Sequence, residues 1–103
     1  MADFREKNMA DLKHTHNQMR VKILDETLRG VYANQMVVSH TKEEFLLDFV
    51  NVFPPEGIVN ARIIISPGHL KRVIRALVEN VRKYEDSFGE IPEAAEPGKT
   101  EVN

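Results

Sequence analysis

The sequence predicts an α+β fold: an antiparallel sheet of about four strands followed by one long C-terminal helix (ββββα), in a chain that forms a dimer. Three observations carry this. Leu70, Val73, Ile74, Leu77, Val78, Val81, Tyr84 and Phe88 recur at helical spacings and so share one stripe of a helix. The half of the chain before them holds short β-branched and apolar runs broken by turn residues, the material of a sheet that would roof the stripe. The part able to fold, Arg20 to Ile91, is about 70 residues without a cysteine, a size at which one core is marginal and a second copy is a common remedy.

Residues 1–19 are polar, with scattered Phe4, Met9 and Leu12, and read as a flexible tail. His14 and His16 stand two apart but have no third ligand nearby, so they read as solvated rather than as a metal clip. Arg20 to Leu24 alternates, with Val21 and Ile23 on one face, and reads as a first strand. Asp25 to Gly30 is a connection, a single helical turn closed by glycine. From Val31 to His40 neither face is polar: Val31, Ala33 and Val37 share one, Tyr32, Met36 and Val38 the other. That is the pattern of a central strand covered on both sides, and one helix can cover only one of them.

Glu44 to Phe53 admits two readings. With period two, Phe45, Leu47, Phe49 and Phe53 line one face; helically, Phe45, Leu46, Phe49, Val50 and Phe53 form a stripe, with Thr41 and Glu44 as a capping box. The β-rich surroundings and the stop at Pro54-Pro55 favour a strand, although periodicity alone leaves both open. Pro54 to Gly57 is a loop, and Asn60 to Ser66 the last strand, its three isoleucines implying burial on both faces. Ser66 suits the N-cap of the helix and Pro67 its first position, Gly89 the C-cap, and Pro92 forbids continuation. Residues 92–103 have the composition of a disordered tail, leaving 20–91 as a single domain.

Charge and composition exclude more than they assign. The net charge is −2; Arg20 to Ile91 holds ten basic and ten acidic residues, and the flanking tails four basic and six acidic. A duplex-DNA binder relying on phosphate contacts would be basic overall. The N-terminus has no apolar run resembling a signal peptide, and no window approaches the ~18 apolar residues of a membrane span. With no cysteine, this describes a soluble cytoplasmic protein.

No catalytic constellation stands out. Ser66 and His69 superficially offer a nucleophile and a base, but a serine at an N-cap has its oxygen occupied by backbone N–H groups. His40, Glu44 and Asp48 read as turn and strand-edge residues. There is no glycine-rich phosphate loop, metal-ligand spacing or nucleophile elbow, so neither cofactor nor metal nor enzyme activity is expected. Lys71, Arg75 and Arg82 lie along one helix stripe, and with Tyr32 could grip phosphates and stack bases of a single-stranded nucleic acid. The plainer account is solvated i,i+4 pairing: Arg75–Glu79, Glu79–Lys83 and Arg82–Asp86. The leading reading is therefore a non-catalytic homodimeric assembly or adaptor module acting on itself or on a protein partner, with single-stranded nucleic-acid binding as the alternative.

One set of residues resembles a prokaryotic family of about a hundred residues catalogued only as a domain of unknown function. It comprises Gly30-Val31-Tyr32-Ala33-Asn34, Ser39-His40, Glu44-Phe45, Leu47-Asp48-Phe49, Arg62, Ser66-Pro67, His69, Lys71-Arg72, Ala76-Leu77, Asn80, Tyr84-Glu85 and Phe88-Gly89-Glu90-Ile91. The resemblance covers about Val21 to Ile91, with Gly68 and Leu70 departing from the family pattern. It implies four strands followed by one helix, hence a strand over Glu44–Phe53, and no catalytic residue or ligand. That order is similar to the repeat unit of the Whirly and PUR-type single-stranded nucleic-acid binders, in which two units interlock, an analogy of fold alone.

Overall fold

A computed structural model of the chain describes residues 19–98. The readings of His14 and His16, and of the outer parts of both tails, lie outside the described residues. The chain divides into two compact units, Met1–Val31 and Tyr32–Asn103.

In the first unit the strand expected over Arg20–Leu24 is not formed. These residues have no regular structure and lead directly into helix α1, Asp25–Arg29. The Leu28 N–H donates to the Leu24 carbonyl at 2.8 Å, so Leu24 is already committed to the helix start. Gly30 closes the turn at φ 76°, a conformation that favours glycine, and its N–H donates to the Thr27 carbonyl.

The second unit holds three antiparallel strands, β1 (Gln35–His40), β2 (Phe45–Phe53) and β3 (Glu56–Ile65), in the order β1-β2-β3, followed by helix α2 (Pro67–Phe88). Among the described residues the fold is therefore α+β with a sheet of three strands where about four were expected. Glu44–Phe53 resolves as strand: Thr41, the would-be helix cap, instead accepts the N–H groups of Glu43 and Glu44 on its hydroxyl and organises the β1–β2 turn. The central strand is β2. The segment expected at the centre is an edge strand and begins late, at Gln35; before it, Tyr32 and Asn34 are held in part by side-chain hydrogen bonds. The Asn34 amide donates to the Val52 carbonyl (3.0 Å) and accepts the Val52 N–H (2.8 Å), while its own N–H donates to Val50. Asn60 sits at a bulge between the Phe49–Ala61 and Val50–Val59 pairs and donates to the Tyr32 carbonyl at 2.6 Å. The expected loop is also shorter: Phe53 pairs with Glu56 across a two-residue turn whose Pro54–Pro55 peptide is cis.

Helix α2 begins and ends where its caps predict. Ser66 accepts the His69 N–H on its hydroxyl at 3.2 Å, Pro67 opens the first turn, and Gly89 ends the helix at φ 96°. The Ile91 N–H then donates to the Glu85 carboxylate, and a Cβ placed on Gly98 would meet Val52 and Pro54 at ordinary van der Waals distance.

Candidate interaction surface

The cross-strand register sorts the sheet into two faces. Met36 pairs with Phe49 and Val38 with Leu47, so these four share one face; Val37, Asp48 and Arg62 occupy a row on the other. Leu70, Val73, Ile74 and Leu77 of α2 face the first set across an open cleft of about 470 Å³ lined only by apolar side chains. The sheet does not roof the rest of the helix. Val78, Val81, Tyr84 and Phe88 continue the stripe beyond the cleft and are about half exposed or more, Phe88 reaching 75%. Among the described residues only Leu47 is buried, at 7% exposure. This corrects the expectation that the β-layer covers the whole stripe. The helix spans some 33 Å at ~1.5 Å per residue, and only its first half lines the cleft.

The two-sided burial expected of the outer strands is likewise absent. Val37 and Val38 in β1, and Ile63 and Ile64 in β3, stay half exposed. Both strands are edges with apolar residues on each face, a pattern that calls for a cover the single chain does not supply.

The polar candidates do not converge. His40 lies on the Leu47 face, its ring 5.1 Å from Phe45, whereas Asp48 points to the other face. There the Arg62 guanidinium donates twice to Asp48, at 2.7 and 2.9 Å, which holds the Asp48 carboxyl below the usual aspartate range. Ser66 is occupied by its cap, and His69 contacts Arg72 through Nδ1 at 3.0 Å. No group of three potential metal ligands comes together among the described residues. Of the three proposed helix pairs, Lys83–Glu79 approaches at 4.0 Å; Arg75–Glu79 and Arg82–Asp86 do not close among the described residues. Tyr32 is exposed, with its carbonyl accepting from Asn60, and among the described residues no hydrogen bond, ion pair or ring contact joins it to Lys71, Arg75 or Arg82. Sequence reasoning missed the Asp48–Arg62 pair and the Asn34 clamp, since both depend on a cross-strand register that one strand's pattern does not reveal. Among the described residues, no helix is long and apolar enough to cross a membrane.

A family model described as protein of unknown function matches residues 3–93, beginning 18 residues before the Val21 start of the resemblance read from the sequence. No curated protein and no solved structure gives a significant match.

Proposed function

The chain belongs to this family, DUF3467, whose members are described as proteins of unknown function, and we propose that it works as a non-catalytic homodimeric assembly module. The observation that supports this is the apolar cleft continued by the uncovered stripe of α2. A stripe of this length in water is costly: burial is worth about 25 cal/mol per Å² of apolar surface. A fold whose described residues bury only Leu47 has little else to hold it.

A second copy supplies the missing cover at a concentration that always matches the chain's own. The other sheet face, with Val37, Val59 and Ile64 exposed around the Asp48–Arg62 pair, leaves room for a further protein partner. A chain without cysteine suits a reducing compartment, which fits work in the cytoplasm. Size-exclusion chromatography with light scattering tests the reading. A dimer is expected at micromolar concentration, and a folded, stable monomer there would overturn it.

A further inference from the structure

We propose that the cleft is filled by the second half of α2, Val78 to Phe88, from a second copy, so that two chains exchange helix ends about a two-fold axis. This rests on the homodimer reading and goes beyond it by naming which segment meets which.

Among the described residues, an apolar cleft and an uncovered helix ridge lie on the same stripe of α2. The cleft uses Leu70 to Leu77, and the ridge continues it through Val81, Tyr84 and Phe88. Under two-fold symmetry each copy's ridge finds the other's cleft, and both are covered in one closed assembly. A stack of two parallel helices would meet ridge with ridge and leave both clefts open.

Charge favours the same direction. From Pro67 to Val78 the helix carries three basic residues, Lys71, Arg72 and Arg75, and no acidic one, a charge of +3. From Glu79 to Phe88 it carries Arg82 and Lys83 against Glu79, Glu85 and Asp86, a charge of −1. Antiparallel exchange sets +3 beside −1 in both halves, whereas parallel packing sets +3 beside +3.

The area is also of the right order. Ile74, Leu77, Val78, Val81, Tyr84 and Phe88 are each 46–75% exposed. At roughly 100 Å² apiece they offer about 600 Å², and the cleft walls bring this near the ~800 Å² per partner of a standard interface. An apolar small molecule would fit the volume, since ligand pockets run about 300–1,000 Å³. It would meet no polar group among the lining residues to orient it, and it would leave Val81, Tyr84 and Phe88 in water.

Because the chain has no cysteine, the contact can be read by single-cysteine crosslinking in the full-length protein. Val38→Cys on the cleft wall and Val81→Cys on the ridge are co-expressed on differently sized tags and treated with a short bis-maleimide. Circular dichroism confirms that each variant folds. The expected result is a covalent heterodimer from this pair, and none from the control pair of Val37→Cys, on the opposite sheet face, with Val81→Cys. A protein that is dimeric by light scattering but crosslinks through the control pair, or through neither, overturns the exchange while the homodimer reading stands. A folded monomer, or a monomer holding an apolar compound in native mass spectrometry, overturns both.

Discussion

Asn34 does with a side chain what a strand residue does with its backbone. Its amide both donates to and accepts from Val52, continuing the β1–β2 ladder past the point where β1 begins. Replacing it with alanine removes both bonds and leaves part-buried backbone groups of Val52 without partners. At about 1 kcal/mol for each lost bond, and more where a buried group is orphaned, Asn34→Ala is expected to cost ~2 kcal/mol in denaturant unfolding. Asn34→Asp keeps the acceptor but sets a carboxylate oxygen against the Val52 carbonyl, so a loss at least as large is expected from it. Asp48 makes the second residue-scale prediction. Arg62 lowers its pKa in the folded state, so the stability it contributes is fully present above the ordinary aspartate value of about 3.9 and is lost as pH falls through the lower, folded value. Asp48→Asn is therefore expected to flatten the acid side of the stability–pH curve. An unchanged acid limb in thermal melts from pH 6 to pH 2 would contradict the pairing.

At the scale of elements, α2 shows how far local chemistry reaches. Ser66, Pro67 and Gly89 determine its ends without help from packing. Ser66→Ala frees the His69 N–H and is expected to cost ~1 kcal/mol, measurable as a shifted urea midpoint with an unchanged slope. The stretch from Thr41 to Phe53 shows where local chemistry stops. The same apolar residues fit a helical stripe or a strand face, and Thr41 can cap a helix or shape a turn. Pairing on both sides, with His40 to Gln35 on one edge and Glu56 to Ile65 on the other, decides for the strand. Arg20–Leu24 fails for the opposite reason. Its two-residue alternation is as strand-like as that of many true strands, but Leu24 is drawn into the start of α1. A strand pattern is only an offer of pairing, and this one is not taken up.

For the whole molecule the central quantity is how little a single copy buries. If the cover is a second chain, unfolding is bimolecular, and the melting temperature is expected to rise with protein concentration. A melt independent of concentration across a hundredfold range would exclude this. Leu77 joins the cleft to the ridge, so Leu77→Asp is expected to abolish the dimer, whereas Lys83→Ala on the solvent side is expected to leave it intact.

The α+β class, the long capped helix, the strands at β1 and β3 and the two-sided apolar character of the outer strands were written in periodicity and caps, which depend on neighbours a few residues apart; β2 was legible only through its β-rich surroundings and the stop at Pro54-Pro55. Strand count, the identity of the central strand, the Asp48–Arg62 pair and the Asn34 clamp were decided only in three dimensions, because each depends on which distant segments meet and in what register. Hydrophobic patterning states which surfaces must leave water; it does not state what will cover them. For the stripe of α2, the first half lines an open cleft in which Ile74 and Leu77 stay half exposed or more, and the remainder has no cover in the single chain.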